Sequence, residues 1–145
     1  MPGYSGTPLP VKLGVKDNFR VAAVDMPPDV SALLSGAIAA CIKTSKAPLD
    51  CAMLFVKTRA QLAKQFSGIA SALAPAGMLW VAWPKQTSGV PTDLNENEVR
   101  RIGLEAGLVD VKVCAITEIW SGLKFVIRLK DRSSKTRARG PKVTP

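Results

Sequence analysis

The sequence predicts a three-layer α/β sandwich, with a mainly parallel sheet that ends in an antiparallel hairpin. Three observations predict it. The runs FRVAAVD (19–25), CAMLFVK (51–57) and MLWVAWP (78–84) are apolar at consecutive positions, as in strands covered on both faces. Stretches with helical apolar spacing separate the later runs, and that alternation implies parallel pairing. The runs VDVKVCAITEIW (109–120) and LKFVIRLK (123–130) flank Ser121-Gly122, the spacing of a two-residue hairpin. At 145 residues and 47% apolar content, the chain suits one domain with a real core.

Taken in order, residues 1–18 are rich in Pro and Gly and read as an extended lead-in without a helix. The first strand ends at MPPD, and Asp29 is placed to cap a helix through VSALL. Residues 36–50 suit two readings, a continuation of that helix or a short strand at 38–43, and the strand is preferred. The link SKAPLD is too short for an ordinary parallel crossover, so such a strand must be short, at an edge, or differently oriented.

After CAMLFVK, Thr58 and Gln61 form a T-x-x-Q capping box. The helix behind it lines up Leu62, Phe66, Ile69, Ala70 and Leu73, and Pro75 and Gly77 are expected to end it. Asp93, three before Glu96, is expected to cap the next helix. That helix should bury Val99, Ile102 and Ala106, with Gly103 permitting close approach and Gly107 at C′. In the closing strand Phe125, Ile127 and Leu129 alternate with Val126, Arg128 and Lys130, so one face is wetter. The domain spans 19–130, and a basic tail spans 131–145.

Composition excludes several chemistries. The chain has no histidine, which removes Ser-His-Asp, Cys-His and His-ligated metal schemes. Cys41, Cys51 and Cys114 lie in apolar runs with no C-x-x-C pair, as buried free thiols of a reducing cytosol would. No metal and no cofactor are expected. The N-terminus shows no apolar leader, Pro2 excludes myristoylation, and no apolar stretch is long enough to span a membrane. The net charge of +9 is concentrated at the end. Lys124, Arg128, Lys130, Arg132, Lys135, Arg137, Arg139 and Lys142 face only Asp131 after residue 123. Such an end attracts phosphate backbones, though no aromatic residue is interleaved for base stacking.

In open α/β sheets ligands bind beyond the carboxyl ends of the parallel strands. Those ends fall at Asp25, Lys57 and Trp83-Pro84-Lys85, with the loop 85–93 and the turn 119–122 expected on one shared rim. The candidate ligand-binding residues are Asp25, Lys85, Ser88, Thr92, Asp93, Glu118, Trp120, Ser121 and Lys124. Each has a plainer reading: Asp93 as a cap, Lys85 as a solvated charge, Ser88-Gly89 as a turn, Trp120 as hairpin packing. A Lys85–Ser88 nucleophile pair lacks any oxyanion hole.

The order of elements is that of a Rossmann-like sheet closed by an antiparallel hairpin, similar to a truncated class I methyltransferase. The first turn departs from that architecture. DMPPD stands where a glycine-rich loop would hold S-adenosylmethionine, so both close approach and free amides are lost. Neither G-x-G-x-x-G nor the P-loop pattern occurs.

The blocks SGTPLPVKLGVK (5–16), LWVAWPKQTSGVPTDL (79–94) and DVKVCAITEIWSGLKFVIR (110–128) resemble a bacterial family of small proteins classed as a domain of unknown function. The resemblance spans about residues 5–130 and implies a small cytoplasmic bacterial protein, but no particular reaction. Two of its blocks coincide with the rim derived above. The expected function is a binding or regulatory module on a degenerate Rossmann-like fold, taking a small anion or a protein partner. The alternatives are nucleic-acid association through the basic end, or a relict methyltransferase. Without histidine, acid–base work would fall to Asp25, Glu118 or Lys85.

Overall fold

The dry runs of the sequence lie side by side. The computed structural model describes residues 7–132. Its elements are α1 (Leu9–Leu13), β1 (Arg20–Val24), α2 (Pro28–Ala39), β2 (Ile42–Lys43), β3 (Leu49–Phe55), α3 (Arg59–Ser71), β4 (Leu73–Pro84), α4 (Glu96–Glu105), β5 (Leu108–Ala115) and β6 (Trp120–Ile127). One six-stranded sheet has the order β2-β1-β3-β4-β6-β5. The pairs β2/β1, β1/β3 and β3/β4 are parallel, and β6 is antiparallel to both β4 and β5.

Two cores flank this sheet. On one face Leu62 and Phe66 of α3 and Val99 of α4 pack on Leu54, Leu79, Val81 and Phe125. On the other, Leu9 and Leu13 of α1 and Val30 and Leu34 of α2 pack on Met53, Phe55, Trp80 and Trp120. Apolar residues at successive positions of β3 and β4 therefore go to opposite cores, which is why these strands read as unbroken hydrophobic runs.

Several local expectations are corrected. The lead-in contains a helix, α1, because Leu9 and Leu13 fall one turn apart and both are buried. Gly14 ends it at φ 78°, and the indole N–H of Trp80 donates to the Leu13 carbonyl at 2.9 Å. Asp29 is not a cap: Pro27 occupies that position, Pro28 begins the helix, and Asp29 sits in the first turn, where the helix dipole favours a carboxylate. The helix reading of 36–39 wins over a strand at 38–43. Only Ile42 and Lys43 pair with β1, as a short parallel edge. The short link to β3 is held by the Arg20 guanidinium, which donates to the carbonyls of Pro48 (2.8 Å) and Lys46 (3.0 Å).

Thr58 caps α3 as the sequence implies, its hydroxyl accepting from the Gln61 amide at 3.1 Å. The Gln61 side chain reaches back one residue further than in a closed capping box, accepting from the Lys57 amide at 2.9 Å. Pro75 and Gly77 do not end α3. They lie inside β4, where the ladder with β3 slips between Leu49 and Cys51, and the Leu49 carbonyl leaves no room for a Cβ at Gly77. Asp93 does not cap α4. That role belongs to Asn95, whose side chain accepts from the Glu98 amide at 2.9 Å. Val99 and Gly103 are buried and Ile102 half-buried, but Ala106 is exposed, because α4 ends there and Gly107 (φ 96°) turns the chain into β5.

The hairpin turn is 116–119, not Ser121-Gly122. The Thr117 hydroxyl accepts from the amides of Ile119 and Trp120, both at 3.1 Å, and so builds a side-chain turn in place of the glycine turn. Gly122 lies within β6, where a Cβ would come within 2.8 Å of the Ile116 side chain. Asp131 and Arg132 belong to a helical turn over 129–132. The rest of the expected tail, 133–145, and the first six residues lie outside the described residues.

Candidate functional site

Strand order reverses between β1 and β3. Chain order runs outward from β1 to β2, then returns across β1 to β3 and β4. Two adjacent loops therefore part at this point and leave a crevice. A cleft of about 450 Å³ lies here, lined by Asp25, Met26, Pro27, Pro28, Phe55, Lys57, Gln61 and Trp120.

Each wall has a local cause. Asp25 follows the last residue of β1 at φ 57°, a left-handed conformation that a short polar side chain tolerates better than most. Its carboxylate is exposed, and no hydrogen bond or ion pair engages it among the described residues. Lys57 follows β3 and is likewise exposed. Trp120 begins β6 directly opposite Pro84, and its ring meets Phe55 edge-on with centroids 5.3 Å apart. The cleft thus has an aromatic floor, one negative group and one positive group. The N-terminus of α2 adds little hydrogen bonding, because neither Pro27 nor Pro28 has an amide hydrogen. The first turn of α3 is occupied too: Asp93 accepts from the Arg59 amide at 2.8 Å, and Thr58 accepts from Gln61. Neither helix start offers the open set of amides that grips a phosphate.

The sequence-derived candidates divide into three groups. Asp25 and Trp120 share the cleft. Lys85, Ser88, Thr92 and Asp93 lie on the same rim, in the loop after β4. The Lys85 amide donates to the Ile119 carbonyl at 2.7 Å, so this loop and the hairpin turn do meet. The side chains of Ser88, Thr92 and Asp93 are spent on holding the loop to itself and to the start of α3. Ser88 donates its hydroxyl to the Lys85 carbonyl at 2.6 Å, and Thr92 donates to the Lys57 carbonyl at 2.6 Å. Asp93 pairs with the Arg59 side chain at 3.6 Å. Glu118 is exposed in the hairpin turn, facing α2 beside Asp29 and Leu33. Ser121 is half-buried in the ladder between Trp83 and Ala115. Lys124 is not on the rim at all. It lies mid-strand between Trp80 and Lys112, because the segment read as a turn is strand and moves every later residue inward.

The cleft also contains Phe55, Lys57 and Gln61, which the candidate set missed. Lys57 was visible as a strand end, and only the strand order shows that its loop is the one facing Asp25. A second cavity, about 520 Å³, lies at the sheet edge among Val21, Ala23, Ser31, Ser35, Ile38 and Thr44. Among the described residues no cluster of three His, Cys, Asp or Glu side chains could hold a metal. No helix there is long and apolar enough to cross a membrane.

Comparison with solved structures finds this architecture in methyltransferases. One is the magnesium protoporphyrin IX methyltransferase of Synechocystis with bound SAH, at TM-score 0.54 and 11% identity, covering 82% of this chain and 78% of that one. Another is a TehB-like SAM-dependent methyltransferase of Corynebacterium glutamicum, at TM-score 0.52 and 7% identity, covering 81% and 85%. The fold is that of the class I methyltransferases. Identities this low show the fold alone. No protein-family model matches the chain, and no curated protein is similar to it.

Proposed function

We propose that this protein is a small-molecule binding module that uses the methyltransferase-like crevice without turnover, and that its ligand is a zwitterion carrying a flat or apolar portion. The supporting observation is the cleft between β1 and β3, where Asp25 and Lys57 stand over the Phe55–Trp120 pair. A carboxylate there matches an ammonium or sulfonium group, a lysine matches a carboxylate, and the aromatic floor takes the remainder. Ligands of the S-adenosylhomocysteine type have this chemistry, and a structural neighbour binds one. The double proline argues for a binding mode different from a glycine-loop grip, with side chains supplying the polarity that backbone amides cannot. Because the cleft is open to water and offers no histidine, binding without group transfer suits it better than catalysis.

Isothermal titration calorimetry with S-adenosylhomocysteine and with methionine tests the reading. Heat is expected with the intact chain and a clear loss with Asp25→Ala or Lys57→Met. Absence of heat with both compounds, or equal affinity in both variants, overturns it.

A further inference from the structure

On the sheet face that carries α1, two lysines of neighbouring strands face each other. Lys112 of β5 and Lys124 of β6 are direct partners in the antiparallel ladder. Side chains so paired sit about 5 Å apart at Cβ, and like charges there repel. Neither has an acidic partner among the described residues. Lys12 comes in from α1: its ammonium donates to the Ala115 carbonyl at 3.0 Å, while the Lys112 ammonium donates to the Lys12 carbonyl at 3.3 Å. Three lysines thus crowd the end of α1 and the two last strands.

The opposite face is arranged differently. There Arg59, Arg100 and Arg101 are each matched, to Asp93, Glu96, Glu98, Glu105 or Asp110. The thiols between the layers register the field of the three lysines: Lys12 and Lys112 act on Cys114, and Lys124 acts on Cys51, each opposing the upward push of burial.

We propose that the α1 face of β5 and β6 is a nucleic-acid contact surface, in which Lys12, Lys112 and Lys124 take backbone phosphates of a duplex. Neither the cleft nor the sheet-edge cavity described above is lined by these lysines. They follow a ladder across an open sheet, as suits a polyanion laid over it. A membrane surface fits less well: α1 has five residues, too few for an interfacial amphipathic helix, and the exposed apolar neighbours are Val11 and Val111, with no aromatic anchor. In sequence, β6 is followed by Arg128, Lys130 and Arg132, of the same sign of charge. With no stacking ring among these lysines, contacts are to phosphate and carry little sequence preference.

Fluorescence anisotropy of a labelled DNA duplex, titrated with the full chain over a range of salt, tests this. The wild type should bind at low salt and weaken steeply as salt rises. The Lys112→Gln/Lys124→Gln variant should bind more weakly, with a log–log salt slope shallower by about two. A variant with Lys135, Arg137, Arg139 and Lys142 changed to glutamine should still lose affinity when the two ladder lysines are also replaced. Circular dichroism monitors folding, and replacing a repelling pair does not threaten it. Unchanged affinity and slope in the double variant would overturn the proposal. So would absence of duplex binding by the wild type, or binding to phosphatidylglycerol vesicles in its place.

Discussion

Gly103 of α4 lies directly against the ring of Phe125 in β6, so close that a Cβ at Gly103 would overlap the ring. Phe125 is fully buried and meets Phe66 edge-on at 5.6 Å. It cannot swing away without displacing α3. Gly103→Ala should therefore destabilise the protein by about 1–3 kcal/mol, although alanine is the better helix former. Urea unfolding of the two proteins measures it, and an unchanged midpoint would mean that the helix shifts freely on the sheet.

Removing one of the facing lysines should act in the other direction. Lys124→Thr abolishes a like-charge cross-strand pair and introduces a strand-favouring residue. We expect stability to rise by roughly 0.2–1 kcal/mol. A thermal melt gives the sign. A fall would show that the lysine stem packs on its neighbours more than its charge repels.

Glu98 links the stability of α4 to pH. Its hydrogen bond to Arg101 lowers its carboxyl pKa below the ordinary 4.5, and the nearby Arg59 helps. A carboxyl lowered on folding contributes stability that is full above its unfolded pKa and fades as pH falls through its folded value. Wild type should thus lose more stability than Glu98→Gln between neutral pH and the region below 4.5. Because the side chain is only half-buried and its partners Arg59 and Arg101 are exposed, the difference should be small and diminish in salt. Denaturation midpoints at several pH values, with and without salt, check it.

The three thiols should not react alike. Burial drives Cys51 up to about 12, leaving almost no thiolate at pH 8. Cys41 is only half-buried, and its pKa is raised as well, first by desolvation. In the native protein iodoacetamide should modify Cys41 first, slowly, and spare Cys51 until the sheet opens. Mass spectrometry of timed samples shows the order, and early labelling of Cys51 would contradict the packing described.

The layers and strand directions could be read from the chain because they rest on periodicity. CAMLFVK and MLWVAWP are apolar on both faces, and Thr58 with Gln61 marks a helix start by local hydrogen bonding alone. What could not be read depends on neighbours distant in sequence. Ser121-Gly122 has turn chemistry, yet Gly122 is needed because Ile116 and Trp80 crowd it, and Thr117 makes the real turn. Asp93 has cap spacing, yet its carboxylate serves the start of α3 across the rim. Pro75 and Gly77 look like helix terminators, but a slipped ladder accommodates them. Asp25 and Trp120 were identifiable at the rim, while their association with Lys57 depended on strand order.

The two central strands belong to both cores at once. Because β3 and β4 are wetted if either helical layer lifts, the layers have no cheap way to come apart separately. Their amides should be the last to exchange with deuterium, and they should do so together, through global opening of the whole domain.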